Sequence, residues 1–338
     1  MTIKDVALHC GVSVSTVSRA LNGRPDVSER VRDAVLKAVE ELHYIPSNTA
    51  RELVMPAPDA VGLVIRGSNQ FYTDIVSNIE RTLREAGYSL VIEQLKHGED
   101  ELRAGAGLVR SKRLRGLIFL GGCFDYSEKE VERLGVPFVC CTFRNVFGSL
   151  SPERYSSVTI DDVKAGHDAV DMLIRRGHSR IAVVLSTVDD RSISQLRYAG
   201  YRSALEEHGI DFDPALVLEA GEYSMAAAAS AAEKALENGV DFSAVFAVSD
   251  SLAIAVMKAL HDGGKSVPED VSVVGIDGME VSAYTIPALC TFQQPVRELG
   301  RRSAEIILGM IDGGEKASHL LLEPGFVEGG SVRCLKKG

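Results

Sequence analysis

The sequence predicts an α/β protein with a small helical head in front of a larger core of parallel sheets. Three observations predict this class. Apolar residues show helical spacing through residues 2–42, short apolar runs alternate with helical stretches from Ala60 onward, and this alternation restarts in the second half of the chain. Strands that alternate with helices indicate parallel sheets with helices on both faces.

Composition places the chain among globular proteins and excludes several classes. Of its 338 residues, 45% are hydrophobic and 25% are charged, a balance typical of ordered domains. No apolar run approaches the ~18 residues of a spanning helix, and the start of the chain lacks a secretory signal. The six cysteines show no metal-binding or disulfide spacing. We therefore expect a cytoplasmic protein without membrane contact, bound metal or cofactor.

Charge is unevenly distributed along the chain. The net charge is −10, yet residues 1–53 carry seven basic and seven acidic residues, so the whole negative charge lies beyond them. Binding to phosphates requires basic surface. Within residues 1–32 the count is five basic to three acidic residues, so a small, slightly basic head precedes an acidic body.

The head is predicted to form three short helices. Thr2 and Asp5 provide a start signal for the first helix, and Gly11 ends it. Ser13 is placed to cap the second helix and Ser28 to cap the third. Two helices joined by a short turn and backed by a third helix are typical of a helix-turn-helix.

The second helix has two different faces. Val17, Ala20 and Leu21 share one arc and are expected to pack on the other helices. The opposite arc is mostly small and polar, and it holds Val14, Ser15, Ser18, Arg19 and Asn22. Short side chains allow a helix to enter the major groove, where Arg can bind guanine through two hydrogen bonds. The alternative is an ordinary solvated helix face.

Five strings of the head carry a family resemblance: Ile3–Ala7, Gly11–Ser13, Thr16–Asn22, Tyr44–Pro46 and Ala50–Leu53. Residues 2–54 resemble the DNA-binding head of the lactose repressor/galactose repressor family of bacterial transcription regulators. The resemblance implies a homodimer on a pseudo-palindromic operator in double-stranded DNA. It also implies DNA contacts at Thr2, Val14, Ser15, Thr16, Ser18, Arg19, Asn22, Tyr44, Ala50 and Leu53.

Residues 47–58 are predicted to connect the head, at 1–46, to the core. The eight residues 47–54 are too few for a stable isolated helix, and Pro56 and Pro58 prevent its extension. The resemblance implies a hinge helix that inserts Leu53 into the minor groove, where apolar wedges kink DNA. A flexible linker is the alternative.

The core is predicted at residues 59–338 as two α/β halves. Apolar runs mark strands at Val61–Ile65, Leu90–Ile92, Leu117–Leu120, Phe138–Cys141, Ile181–Leu185, Ala244–Ala247 and Val271–Ile276. Two such halves resemble the two-lobed periplasmic sugar-binding fold that forms the core of this regulator family. We expect a first lobe at about 59–161 plus 278–294, and a second at about 162–277 plus 295–338.

Candidate ligand contacts follow from the strand order, because open α/β sheets bind ligands beyond the carboxyl ends of their strands. Asp277 ends a buried apolar strand, where a carboxylate without a partner is unfavourable. The resemblance implies effector contacts at Phe71, Tyr72, Asp161, Arg191, Arg197, Tyr223, Ser249 and Asp277. The alternative is a structural Arg197–Asp277 pair between the lobes, with the aromatic residues filling core.

Other functional classes find less support. The sequence has no P-loop, no G-x-S-x-G and no H-E-x-x-H motif, so we do not expect an enzyme. An exported binding protein would need a signal peptide and no DNA-binding head. The last nine residues lack apolar heptads, which favours a dimer over a coiled-coil tetramer. We therefore expect a transcriptional repressor whose operator affinity responds to a small molecule, a sugar or sugar derivative. The effector's identity and its sign of action stay open.

Overall fold

The computed structural model describes residues 2–21, 24, 26–42, 59–67, 70–95 and 99–335. Its contacts separate two compact units, residues 1–58 and 59–338. Within the described parts of the chain, no helix is long and apolar enough to span a membrane.

The first unit contains helices α1 (Ile3–Cys10), α2 (Val14–Leu21) and α3 (Glu29–Glu41). Gly11 ends α1 with a φ of 65°, a left-handed conformation that glycine adopts without steric cost. A small core holds the three helices together: Val6, Ala7, Val17, Ala20, Val27, Val35 and Ala38. The predicted inward face of the second helix is thus confirmed at Val17 and Ala20, and Leu21 packs at the edge.

The helices described in the second unit follow in chain order. They are α4 (Gln70–Glu85), α5 (Glu101–Lys112), α6 (Glu128–Val131), α7 (Asp162–Arg175), α8 (Ile193–Glu207), α9 (Met225–Glu237), α10 (Asp250–Asp262) and α11 (Val296–Asp312).

Two sheets of six strands form the two lobes. The first contains β1 (Ala60–Arg66), β2 (Ser89–Leu95), β3 (Gly116–Leu120), β4 (Phe138–Cys141), β5 (Ser156–Ile160) and β11 (His319–Leu322). The second contains β6 (Ile181–Leu185), β7 (Val217–Glu219), β8 (Ala244–Ala247), β9 (Ser272–Asp277), β10 (Cys290–Gln293) and β12 (Gly325–Val327).

The two sheets have matching strand orders. The first runs β11-β5-β4-β3-β1-β2 and the second runs β12-β10-β9-β8-β6-β7, so β4 and β9 occupy corresponding positions. All described pairings are parallel except that of β12 with β10. Buried apolar strands covered by helices explain the continuous hydrophobic runs of the sequence.

The chain after Asp277 crosses between the lobes more often than the sequence predicts. Residues 278–294 are expected in the first lobe, but β10 pairs with β9 in the second sheet. Residues 295–338 are expected in the second lobe, but α11 packs on α4 and β11 pairs with β5 of the first sheet. The prediction holds for the end of this range, because β12 pairs with β10 in the second sheet. Both β10 and α11 are amphipathic or apolar, and such patterns do not specify which lobe they cover.

Close packing explains why α11 covers the first lobe. Gly116 begins β3, and a Cβ there would lie 2.8 Å from the Ile307 side chain of α11. Leu299, Ala304 and Ile307 of α11 are buried in the same cluster as Val61, Leu63 and Ile118. The glycine thus provides the space in which the helix meets the sheet.

Candidate functional site

The outer face of α2 presents the side chains that the sequence predicted. Val14 is 39% exposed, Ser15 and Arg19 are exposed, and Thr16 and Ser18 are half-buried. The Arg19 guanidinium lies 3.1 Å from the carboxylate of Asp26, and both side chains are largely solvated. Such a pair adds little stability, so Arg19 can exchange Asp26 for another acceptor at small cost.

Hydroxyl groups cluster at the amino end of α2. The Ser13 hydroxyl accepts a hydrogen bond from the Thr16 amide at 3.1 Å, which confirms the predicted cap. It also lies 2.7 Å from the Ser15 hydroxyl and 2.8 Å from the Thr16 hydroxyl. Hydroxyls and amides at a helix amino end suit contacts to phosphate, which position a protein on DNA without reading sequence.

Thr2 precedes α1, where its amide donates to the Asp5 carboxylate at 2.6 Å. Four of the predicted DNA contacts, Asn22, Tyr44, Ala50 and Leu53, lie outside the described residues. The same holds for the whole predicted hinge segment.

A buried arginine lies at the carboxyl ends of the strands of the second lobe. Arg197 of α8 is 1% exposed. Its Nε donates to Asp162 at 2.9 Å, and its Nη1 donates to the Val248 carbonyl at 2.6 Å and to Asp277 at 3.4 Å. The Asp162 and Asp277 carboxylates outweigh burial and raise the pKa of Arg197. The guanidinium is therefore a fixed cation with fixed orientation.

Asp277 ends β9 with unusual backbone and electrostatics. Its φ is 136°, a conformation that residues other than glycine rarely adopt. Its Oδ1 accepts from the Gln294 side-chain amide at 2.8 Å. Burial raises the pKa of its carboxyl to about 7, against the lowering effects of Arg197 and Gln294. Asp277 is thus a buried acceptor whose charge changes near neutral pH.

Each lobe has one tyrosine near the Asp277 carboxylate. Tyr72 comes from α4 of the first lobe and Tyr223 from the segment before α9 of the second. Burial raises the pKa of both hydroxyls, and the nearby Asp277 carboxylate raises each further. Tyr223 also hydrogen-bonds Ser249, although 42% of its surface is exposed. Its hydroxyl therefore lies near Ser249 and Asp277 while part of the residue is exposed to solvent.

Three other predicted contacts have different neighbours. Phe71 is 5% exposed and packs in the core of the first lobe. Asp161 caps α7 by accepting from the Lys164 amide at 3.0 Å. Arg191 pairs with Asp125 of the first lobe at 3.4 Å. Of the eight predicted contacts, the structure brings together Tyr72, Arg197, Tyr223, Ser249 and Asp277.

Three residues of this cluster are not among the contacts predicted from the sequence. Asp162 is the nearest acid to Arg197, and Gln294 holds Asp277. Thr142 follows β4 with a φ of 72° and hydrogen-bonds the Tyr72 hydroxyl. The strands β4 and β9 occupy the same position in their two sheets. Each lobe therefore has one polar residue with a strained backbone, Thr142 or Asp277, at the carboxyl end of this strand. Strained residues concentrate at binding sites, and a search for polar residues after each buried strand would have found Thr142.

The cluster can bind a polar molecule without catalysing its reaction. It combines a fixed cation, a buried carboxylate and several hydroxyls, a set that pairs with the hydroxyls of a ligand. Within the described residues, no group of three or more His, Cys, Asp or Glu could hold a metal ion.

Two known protein families match the chain, one in each of its two units. The family described as "Bacterial regulatory proteins, lacI family" matches residues 2–47. The family described as "Periplasmic binding protein-like domain" matches residues 149–332. The second match alone covers more than half of the chain.

Individual relatives match along nearly the whole chain. HTH-type transcriptional regulator MalR of Clostridium butyricum is 36% identical, over 97% of this chain and 98% of its own. The ribose operon repressor of Escherichia coli K12 is 32% identical, over 98% and 99%.

Solved structures give the same result. The CelR–cellobiose complex superposes with a TM-score of 0.72 at 30% identity, over 98% of this chain and 99% of that one. The lac repressor dimer bound to operator superposes with a TM-score of 0.74 at 25% identity, with the same coverage. The chain belongs to the lacI family of bacterial regulatory proteins, which are DNA-binding transcriptional regulators and not enzymes.

Proposed function

We propose that this protein is a cytoplasmic repressor whose operator affinity is set by a sugar bound between its lobes. The head at 1–46 reads the operator, residues 47–58 form the hinge, and the remaining chain binds the effector. One observation carries the proposal: the buried Arg197 guanidinium and the Asp277 carboxylate lie 3.4 Å apart with tyrosines of both lobes beside them.

A neutral sugar suits this chemistry. Arg197 donates and Asp277 accepts, so together they can satisfy the hydroxyls of one ring. Tyrosine rings pack on the apolar faces of a sugar. Known relatives are a ribose operon repressor and a regulator solved with cellobiose. Both names support a sugar effector here.

Operator contacts are proposed for the outer face of α2 and for the hinge. Arg19 reads a base, while Ser15, Thr16 and Ser18 contact bases or phosphates. Thr2, Val14, Asn22, Tyr44, Ala50 and Leu53 complete the proposed DNA surface. The lac repressor solved as a dimer on its operator supports this arrangement.

We propose a homodimer joined through its cores. Val281, Tyr284 and Ile286 are 39%, 77% and 98% exposed on one segment of the second lobe. Contiguous exposed apolar side chains mark interaction surfaces. Ile286→Asp should therefore shift the protein towards monomer in sedimentation velocity, whereas Leu321→Asp, an exposed apolar position of the first lobe, should not.

Effector binding is proposed to change the angle between the lobes and so the spacing of the two hinges in the dimer. Loss of hinge pairing would remove the Leu53 wedge from DNA. Coupling between two sites is typically about 1–3 kcal/mol. The proposal therefore expects an effector to change operator affinity by about 5- to 150-fold.

A thermal-shift screen of sugars, sugar phosphates and purines tests the effector class. The hits are then titrated by calorimetry into the wild type, Asp277→Asn and the control Asp241→Asn, whose side chain is 86% exposed. We expect a neutral sugar among the hits, binding lost in Asp277→Asn, and wild-type binding in the control. Wild-type affinity in Asp277→Asn would refute the site but not the regulator.

A further inference from the structure

A second buried carboxylate lies behind Asp277. Asp250 begins α10 and is fully buried. Its Oδ2 accepts from the Met279 amide at 2.8 Å and from the Ser282 hydroxyl at 2.8 Å. Its Oδ1 accepts from the Thr291 hydroxyl at 2.5 Å. One side chain thus ties the segment that follows Asp277 to the neighbouring strand β10.

The same contacts reach the residue next to Asp277. The Thr291 hydroxyl accepts from the Gly278 amide at 3.2 Å while donating to Asp250. Asp277 itself has a φ of 136°. A strained residue of this kind persists only where its surroundings hold it. In the residues that follow, the Gly278 amide donates to Thr291, and the Met279 amide and the Ser282 hydroxyl donate to Asp250.

We infer that Asp250 is a positioning residue for the effector site: by fixing residues 278–282 it holds the Asp277 carboxylate at the cleft between the lobes. The inference rests on the proposed function, because it takes Asp277 as an effector contact. A carboxylate suits the task because both of its oxygens accept hydrogen bonds. An asparagine at this position would offer one acceptor oxygen only.

Asp250 also acts on Asp277 through its charge. Burial is the main cause of the raised pKa of Asp277, and the negative charge of Asp250 raises it further. The other charged or titratable groups near Asp277 come from α4, α7, α8 and the segment before α9, and they are Tyr72, Asp162, Arg197 and Tyr223. Removal of the Asp250 charge should therefore lower the pKa of Asp277, an effect that lost packing alone would not produce.

The test uses the full-length protein without an effector. Carbon-13 NMR follows the Asp277 carboxyl against pH, with its signal identified by its loss in Asp277→Asn, and hydrogen exchange follows the amides of residues 278–282. In Asp250→Asn we expect the titration midpoint of the Asp277 carboxyl to fall. We also expect the amides of residues 278–282 to exchange about tenfold faster, because hydrogen bonds to a charged group are lost. Asp262→Asn, at the exposed far end of α10, should match the wild type in both readouts.

Thr291→Val is a second variant for the case in which Asp250→Asn does not fold. It keeps both carboxylates and removes the hydroxyl between Asp250 and Gly278. We expect faster exchange at Gly278 and Met279 with the melting temperature little changed.

Wild-type exchange in Thr291→Val, or wild-type values of both readouts in Asp250→Asn, would overturn the inference. Neither readout uses an effector. Failure of the positioning role is therefore distinguishable from failure of Asp277 as an effector contact, which the calorimetry reports.

Discussion

Arg197 lies closer to Asp162 than to Asp277. Its Nε donates to Asp162 at 2.9 Å, whereas its Nη1 reaches Asp277 at 3.4 Å, and all three side chains are buried. The three residues come from elements of one lobe, α7, α8 and β9. Asp162 is therefore the nearer counter-ion of the arginine, and this geometry supports the proposal that Asp277 pairs with a ligand.

This difference in distance predicts different effects of the two amide substitutions on stability. Asp162→Asn removes the nearest counter-ion of a buried arginine and should reduce the free energy of unfolding by about 3 kcal/mol. Asp277→Asn should reduce it by less, because Asp277 is the more distant of the two counter-ions, at 3.4 Å, although burial raises the pKa of both carboxyls. Urea unfolding at pH 7 measures both. Equal losses would favour a purely structural role for Asp277.

Effector affinity should depend on pH near neutrality. Burial raises the pKa of Asp277 from 3.8 to about 7, so the carboxyl is mostly protonated at pH 6 and mostly ionised at pH 8. A sugar that donates hydroxyls to the ionised form should bind about tenfold more tightly at pH 8 than at pH 6, because only that fraction is competent.

Calorimetry across this range, with the sugar found in the screen, gives the measurement. Asp262→Asn should retain the full pH dependence. A wild-type affinity that is the same at both pH values would show that the charge of Asp277 does not enter binding.

The raised pKa of Asp277 also predicts how the free energy of unfolding varies with pH. The folded pKa of Asp277 exceeds its unfolded value, so the folded state holds the proton more tightly. This group therefore adds stability as pH falls from about 7 towards 4 and removes it as pH rises through 7. Asp277→Asn should remove that contribution. In parallel urea titrations the wild type should accordingly gain unfolding free energy relative to Asp277→Asn as pH falls from about 7 to about 4, the window between the two pKa values.

An ion pair bridges the lobes at Arg191 and Asp125. The pair is solvent-exposed, with side chains 64% and 38% exposed, so Asp125→Asn should change the unfolding free energy by less than about 1 kcal/mol. Because the pair joins one lobe to the other, its loss should still weaken effector binding a few-fold, and less so at high salt. Asp241→Asn, whose Arg180 partner lies in its own lobe, is the matched control. An effector affinity that Asp125→Asn leaves unchanged at low salt would show that this ion pair does not contribute to effector binding.

Arg19 should read one base pair in each operator half-site. Arg19→Ala is expected to weaken binding to the cognate operator by about 1–3 kcal/mol and to flatten preference at that position. Asp26→Asn frees the guanidinium from its present partner and should strengthen binding slightly, mainly at low salt. Titrations against single-base operator variants measure both effects. A preference profile unchanged by Arg19→Ala would exclude base contact by this residue.

Leu53 should act as a wedge in the DNA complex. Leu53→Ala is expected to leave the dimer folded, to weaken operator binding and to reduce the bend, because unstacking at the central step needs an apolar insertion. A circular-permutation mobility assay reports the bend, and sedimentation checks the dimer. Equal bending by variant and wild type would contradict the hinge helix proposed for residues 47–54.

Short-range patterns in the sequence are sufficient to predict the fold class and the local elements of this protein. Helix caps such as Ser13, the left-handed Gly11 and the apolar arc of Val17 and Ala20 act within a few residues, so they can be predicted without a fold. For the same reason the seven predicted apolar runs coincide with β1, β2, β3, β4, β6, β8 and β9, whereas the buried strand β5, which is rich in Ser and Thr, is not among them. The strings of the head likewise identified the family, and the matches to known regulators agree.

The residues that share the candidate site could not be predicted from such short-range patterns. Asp161 and Asp162 are adjacent acids at the start of one helix, yet the first caps the helix and the second binds Arg197, 35 residues away. Local patterns cannot separate them, because helix geometry turns adjacent side chains about 100° apart and distant contacts decide which one is buried. The lobe assignment of β10 and α11, and the pairing of Arg191 with Asp125, likewise depend on contacts between residues far apart in the chain.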